Sequence, residues 1–151
     1  MKRLLFVCLG NICRSPAAEA VLRAKAGERG LDLVIESAGT GGWHQGDPAD
    51  ARMIRAAARR GYRLGHHRAR QIEFADFHSF DLLLAMDLRN HADLLAMAPP
   101  NRECDIRLFL DFADTSVRET PDPYYGGDKG FEDLLDLLEK GADALLDHIE
   151  E

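Results

Sequence analysis

A thiol, a guanidinium group and a hydroxyl lie within eight residues of one another near the start of the chain. Cys8, Arg14 and Ser15 belong to the segment "CLGNICRS", which follows an apolar run and precedes Pro16. Backbone N–H groups at the start of a helix bind anions such as phosphate, and the same positive environment stabilises a thiolate. Arg14 can hold two phosphoryl oxygens with its planar fork, and Ser15 can donate a hydrogen bond to the sulfur. The segment therefore predicts attack of a Cys8 thiolate on phosphorus.

The segment is not the phosphate loop of nucleotide-binding proteins, because it lacks the GxxxxGK[ST] pattern and its lysine. Gly10 and Asn11 are residue types that tolerate left-handed backbone angles, which a loop with inward-pointing amides requires. The alternative is that Cys8 is a small core residue at the end of a buried strand. We predict a phosphate-binding loop made of Leu9, Gly10, Asn11, Ile12, Cys13, Arg14 and Ser15, with Cys8 at its start.

Displacement at phosphorus also needs a proton for the leaving oxygen. Asp122, in the segment "TPDPYYGG", lies between the last predicted strand and the last predicted helix and can reach the same end of the sheet. Tyr124 and Tyr125 beside it could form the wall of a pocket for an aromatic ring. The alternative is an ordinary Asp-Pro turn with surface tyrosines.

The order of the elements places these residues at one edge of a sheet. Apolar runs predict strands over 2–8, 31–37, 81–86 and 105–110. Helical spacing predicts helices over 16–30, 48–61, 87–99 and 128–151. A short helix or turn is expected over 71–80. Ser15 and Asp47 are the expected N-caps of the first two helices, each followed by a proline. Alternating strands and helices indicate an α/β sandwich with a parallel sheet and helices on both faces. Sites in such sheets lie at the carboxyl ends of the strands, where residues 8–15 fall.

Composition limits the possible functions. The chain has 151 residues, which is most simply one domain over 1–151, and its net charge of −7 argues against a nucleic-acid-binding protein. It has no run of about 18 apolar residues, and its apolar start is too short for a signal peptide, so no membrane association is expected. Three cysteines without a CxxC pair argue against a zinc site and fit a reduced, cytoplasmic protein.

The segments "VCLGNICRSP" and "DPYY" together resemble the low-molecular-weight protein tyrosine phosphatases. The likeness extends over essentially the whole chain and includes "ESAGTGGWHQGDPAD", "HHRARQI" and "LLLAMD". It implies a three-layer sandwich with a four-stranded parallel sheet, and a phosphocysteine intermediate formed without metal or other cofactor. By this resemblance Cys8 is the nucleophile, Arg14 the phosphate clamp, and Asp122 the acid that later acts as base.

The resemblance also implies supporting roles. Asn11, Ser15, Ser37 and His67 match positions of a hydrogen-bond network around the loop. A further set matches positions near the substrate or near the nucleophile: Trp43 as a pocket wall, His44 at a variable position that could tune substrate choice, and Cys13 as the partner that traps an oxidised nucleophile in a disulfide. Cys104 matches no position that we can assign.

Other functions remain open at this point. Arsenate reductases share the scaffold but use further cysteines and lack DPYY. Arginine-phosphate phosphatases typically have Thr where this chain has Ile12, and their acid loop is less aromatic. A non-catalytic phosphotyrosine-binding module would need neither Cys8 nor Asp122. The expected partner is a phosphotyrosine-containing protein or peptide, with a cognate tyrosine kinase left open, and a monomer is the expected state.

Overall fold

The structure, a computed structural model, describes residues 2–123 and 127–151. Four parallel strands form one sheet in the order β2-β1-β3-β4. Their bounds are β1 Lys2–Cys8, β2 Leu33–Gly39, β3 Leu82–Ala85 and β4 Asp105–Leu108. The central strand β1 pairs with β2 on one side and with β3 on the other, and its residues 4–8 are buried. This explains its continuous apolar run, because a central parallel strand is covered on both faces.

Helices cover both faces of the sheet, which confirms the predicted three-layer α/β architecture. The helices are α1 Arg14–Glu28, α2 Ala51–Ala58, α3 Asp76–Ser79, α4 Leu88–Met97 and α5 Gly127–Glu150, and a 3₁₀ turn spans Phe109–Phe112. Leu4, Phe6 and Cys8 of β1 belong to a core shared with α1, α2 and α5. Leu5 and Val7 belong to a second core shared with α3 and α4. The alternation of side chains along a strand thus divides one apolar run between two cores.

The long helix α5, which the sequence predicted over 128–151, presents an apolar stripe to the core. Its buried side chains include Phe131, Leu134, Leu135, Leu138, Ala142, Leu145 and Leu146, and Ile149 is partly buried against them. Within this core, Phe6 and Phe109 meet edge to face with ring centroids 5.1 Å apart. The stripe therefore anchors α5 on the sheet, as amphipathic helices of globular proteins generally do.

The starts of α1 and α2 differ from the sequence-based expectation. The first helix begins at Arg14 after an N-cap at Cys13, so the prediction of Ser15 as N-cap is wrong. The hydroxyl of Ser15 instead contacts the sulfur of Cys8. The second helix is capped by Asp50, whose carboxylate accepts from the backbone of Arg52 and Met53. The prediction of Asp47 as the N-cap of this helix is therefore wrong. Asp47 lies in the preceding loop, where its backbone forms hydrogen bonds with His44 and Ala69.

All parallel strands end at the same edge of the sheet, and this edge receives the loops that matter chemically. Cys8 at the end of β1 is paired in register with Gly39 at the end of β2, and Val7 is paired with Ala85 at the end of β3.

In the described part of the chain, no helix is both long and apolar enough to cross a membrane.

Candidate active site

The Cys8 sulfur lies at the carboxyl end of β1 and is held by two hydrogen-bonding groups. The backbone N–H of Asn11 donates to Sγ at 3.2 Å, and the Ser15 hydroxyl oxygen lies 2.9 Å from Sγ. The loop that follows Cys8 leads directly into the first turn of α1. Donors at these two positions can stabilise the negative charge that the sulfur carries as a nucleophile or leaving group.

Asn11 fixes the shape of the loop. It is the one non-glycine residue with positive φ among the described residues, at 58°. Its side chain is fully buried: Nδ2 donates to Ser15 Oγ at 2.9 Å and to Ser37 Oγ at 3.0 Å, while Oδ1 accepts from the Arg70 backbone at 2.9 Å. Residues with a side chain rarely adopt the left-handed conformation, and these hydrogen bonds hold Asn11 in it.

The donor and acceptor pattern around Asn11 leaves the Ser15 proton free for donation to the sulfur. Both Nδ2 hydrogens of Asn11 go to the hydroxyl oxygens of Ser15 and Ser37. Ser37 donates its own proton to Glu19 Oε1 at 2.7 Å. Because Ser15 Oγ already accepts from Asn11, its proton is available for Cys8 Sγ, where it stabilises a thiolate.

Side chains from residues 67–76 also support the loop. His67 Nε2 lies 2.8 Å from the carbonyl oxygen of Asn11, so this nitrogen carries the hydrogen and donates it. Arg70, whose backbone holds the Asn11 amide, forms two hydrogen bonds to the buried carboxylate of Asp76, at 2.9 and 3.1 Å. Three residues of the network predicted from the resemblance thus contact the fourth, Asn11. Ser15 and Ser37 contact its side-chain amide, and His67 contacts its backbone carbonyl.

Arg14 is buried beside the sulfur and is anchored on one side. Its Nη1 donates to Asp87 Oδ2 at 2.8 Å and to the Thr120 carbonyl oxygen at 3.0 Å. Burial opposes the charge, but Cys8, Asp87 and Asp122 outweigh it and raise the pKa of Arg14 above its ordinary value. The guanidinium therefore stays charged and oriented, which a bidentate clamp for an anion requires.

A cavity opens above this loop. It is lined by residues 8–14, by Trp43 and His44 from the loop after β2, and by Asp122 from the segment between β4 and α5. Cys8, Arg14 and Asp122 thus share one cavity although they are distant in sequence. Tyr124 and Tyr125, the other predicted wall residues, lie outside the described residues. Residues 2–123 and 127–151 contain no group of three His, Cys, Asp or Glu side chains placed to hold a metal ion.

Comparison with known proteins identifies the family. A model of the family described as low molecular weight phosphotyrosine protein phosphatase matches residues 3–151. The chain belongs to this family. A low molecular weight protein-tyrosine-phosphatase of Streptomyces coelicolor is 44% identical over 156 residues, covering 99% of this chain and 94% of that protein.

Solved structures give the same family likeness. A crystal structure of a protein tyrosine phosphatase from Entamoeba histolytica superposes with a TM-score of 0.95 and 41% identity, over 99% of this chain and 97% of that one. A crystal structure of a Drosophila arginine phosphatase superposes with a TM-score of 0.94 and 33% identity, over 100% and 99% of the two chains. The fold is thus shared by phosphatases that are named for different substrates.

Some residues of this low molecular weight phosphatase site were missed by sequence reasoning. Asp87 anchors Arg14 and also caps α4, accepting from the Asn90 backbone at 2.7 Å. Its signal was available, because an acidic residue directly after a buried parallel strand lies at the carboxyl edge of the sheet. Glu19 and Asp76 had no such signal, because their roles depend on hydrogen bonds to residues remote in sequence.

The remaining cysteines occupy different surroundings. Cys13 is buried within the loop, and burial, followed by the charges of Asp50, Cys8 and Asp122, raises the pKa of its thiol well above the ordinary value. Cys13 therefore remains a neutral thiol at neutral pH. Cys104 belongs to the core on the opposite face of the sheet from α1, and it does not line the cavity.

Proposed function

We propose that this phosphatase hydrolyses phosphotyrosine in proteins and aryl phosphates through a phosphocysteine intermediate. The observation that supports this best is the Cys8 sulfur, which receives two hydrogen bonds in a cavity that it shares with Arg14 and Asp122. Each of the three groups then has one role: nucleophile, anion clamp and proton donor.

The reaction proceeds in two steps. In the first, the Cys8 thiolate forms a sulfur–phosphorus bond while the bond from phosphorus to the tyrosine oxygen breaks, and Asp122 transfers its proton to that oxygen. In the second, the Asp122 carboxylate takes a proton from water, the water oxygen bonds to phosphorus, and the Cys8 thiolate leaves. Arg14 holds the phosphoryl oxygens in both steps, and Ser15 stabilises the sulfur as attacking and leaving group.

We further propose roles for the residues around this centre. Asn11, Ser15, Ser37 and His67 hold the loop in its phosphate-binding shape. Four side chains form the walls for the aromatic ring of the substrate, namely Trp43, His44, Tyr124 and Tyr125. The substrate is a phosphotyrosine-containing protein or peptide, and the enzyme acts as a monomer without metal. A thiol nucleophile works in a reducing compartment, which favours a cytoplasmic location.

Replacement of the nucleophile tests the mechanism. Cys8→Ser should abolish hydrolysis of a phosphotyrosine peptide, because a serine hydroxyl is not ionised near neutral pH. Cys104→Ala is the matched control, since Cys104 lies in the other core, and it should keep wild-type kcat/KM. Circular dichroism would establish that both variants are folded. Residual activity of Cys8→Ser above about one per cent of wild type would exclude the covalent mechanism.

Arginine phosphate is the second candidate substrate, because the arginine phosphatase from Drosophila is similar over its full length. Ile12, which lines the cavity, argues against it, because a larger apolar side chain at this position suits an aromatic substrate. We expect phosphotyrosine to be preferred over phosphoarginine in kcat/KM. A reversed preference, or arsenate reduction in the presence of thiols, would assign one of the other activities of this fold.

A further inference from the structure

A second groove runs along the outer side of the cavity. Its lining comes from the loops after β1 and β2 and from helix α4, and includes Leu9, Gly41, Trp43, Arg89, Asp93 and Met97. Leu9 and Trp43 also line the catalytic cavity, so the groove and the cavity share a wall. The groove is therefore continuous with the surface at which the substrate's aromatic ring would enter.

Three large apolar side chains that line this groove are exposed to solvent. Leu9, Trp43 and Met97 are 48%, 74% and 40% exposed, respectively. Single exposed apolar residues are common on protein surfaces, but a contiguous group beside a substrate cavity indicates a binding surface. The polar residues at its rim, Arg89 and Asp93, pair with each other at 3.4 Å. The rim can therefore face water while an apolar group covers the floor.

In the wall that the cavity and the groove share, the indole of Trp43 packs against Gly41. A Cβ atom at Gly41 would overlap the six-membered ring of the Trp43 indole, so the ring lies directly against the backbone of Gly41. Gly41 is itself attached to the catalytic loop, because its N–H donates to the carbonyl oxygen of Leu9 at 2.9 Å. The indole thus stands at a defined position between the cavity and the groove.

We propose that this groove binds an apolar side chain of the peptide that carries the phosphotyrosine, two residues away from it. In an extended peptide, side chains two residues apart point in the same direction and are separated by about 6.6 Å. The phosphotyrosine ring then occupies the cavity on one side of Trp43, and the second side chain packs against Trp43, Leu9 and Met97 on the other. The inference rests on the proposed function and specifies the substrates that the same site prefers.

Paired substrates and paired variants test the proposal. One phosphotyrosine peptide carries Leu two residues before and two residues after the phosphotyrosine, and the other carries Ser at both places. The wild type should hydrolyse the Leu peptide with about tenfold higher kcat/KM, because an open groove removes part of the leucine surface from water. Met97→Lys should reduce this preference to about twofold or less by placing a charge in the groove. Hydrolysis of p-nitrophenyl phosphate, which does not reach the groove, should be unchanged.

The control variant lies on the same helix. Leu95 is 44% exposed on α4 but does not line the groove, so Leu95→Lys should keep the tenfold preference. Equal hydrolysis of both peptides by the wild type, or equal effects of the two lysine variants, would overturn the groove proposal and leave the proposed function intact. Failure of the wild type to hydrolyse either peptide would overturn both. Dimerisation that is lost only in Met97→Lys, without a peptide preference, would instead assign the groove to contact between copies of the chain.

Discussion

Asn11 connects the catalytic loop to strand β2 and to the segment over residues 67–70. Its backbone N–H reaches the sulfur, its carbonyl oxygen accepts from His67, and its side chain joins Ser15, Ser37 and the Arg70 backbone. A buried amide with every group paired specifies one conformation, whereas a partly paired one would be costly. The loop is therefore preorganised before any phosphate binds.

Asp122 provides a test that depends on the leaving group. Asp122→Ala should slow phosphotyrosine hydrolysis by roughly 10²–10⁴-fold, the usual contribution of general acid catalysis. It should slow release of p-nitrophenol less, because that phenol leaves fairly well as an anion, whereas tyrosine, with an ordinary pKa of about 10, does not. Single-turnover kinetics with both substrates would measure the difference. Equal losses would show that Asp122 is a structural residue of its turn.

Cys13 provides a test of redox control. Peroxide should convert Cys8 to a sulfenic acid, and the Cys13 thiolate should then displace hydroxide from that sulfur to form a disulfide. Because burial and nearby carboxylates raise the pKa of Cys13, disulfide closure should accelerate as the pH is raised from about 6 to about 9.

Peptide mapping of the oxidised protein would identify the bridge, and thiol reductant should restore activity. Cys13→Ser should be harder to reactivate after the same treatment, whereas Cys104→Ala should behave as wild type. A bridge from Cys8 to Cys104, or no bridge at all, would contradict the assignment of Cys13.

Sequence patterns predicted whole elements better than their ends. The strand over 2–8 was predicted with its observed bounds, because burial on both faces leaves an uninterrupted apolar run. The start of α1 was misplaced because Ser15 has the chemistry of a cap but directs its hydroxyl to the sulfur of a residue seven positions earlier. Glu19 illustrates the same limit, since its partner Ser37 lies 18 residues away in sequence. Long-range hydrogen bonds leave no local pattern.

The cap of α2 predicts how stability changes with pH. Burial opposes ionisation of Asp50, but its bonds to the side chain of Arg52 and to the backbone of Arg52 and Met53 outweigh it and lower its pKa. Because the folded pKa lies below the ordinary value, the stabilisation is present above about pH 4 and is lost as the pH falls through the folded pKa. Asp50→Ala should therefore cost about 1 kcal/mol of unfolding free energy at neutral pH, and less in acid.

Urea unfolding from about pH 7 to about pH 3 would measure this change. Asp50→Asn retains a capping side chain that does not titrate, so its advantage over Asp50→Ala should not vary with pH. A constant difference between wild type and Asp50→Ala over the same range would rule out a contribution from the charge.

At the scale of the whole molecule, α5 packs closely against the 3₁₀ turn Phe109–Phe112. A Cβ atom at Gly141 would lie 2.7 Å from two ring carbons of Phe109, whereas one at Gly130 of the same helix would meet Pro123 at an ordinary 3.6 Å. Gly141→Ala should destabilise the protein by about 1–2 kcal/mol, because overpacking outweighs the better helix propensity. Gly130→Ala should instead stabilise it by up to about 1 kcal/mol. Thermal unfolding of both variants would measure the contrast, and a stabilised Gly141→Ala would disprove the tight fit.

The indole against Gly41 also gives the molecule an optical reporter. Trp43 is the single tryptophan of the chain, so all indole fluorescence of the protein comes from the boundary between the cavity and the groove. Because the Trp43 side chain is 74% exposed, its emission should lie at the long wavelengths typical of hydrated indole. A ligand that covers the ring should shift the emission to shorter wavelength, whereas inorganic phosphate deep in the loop should leave it nearly unchanged. Occupancy of the rim and occupancy of the anion site can thus be followed separately, without a label.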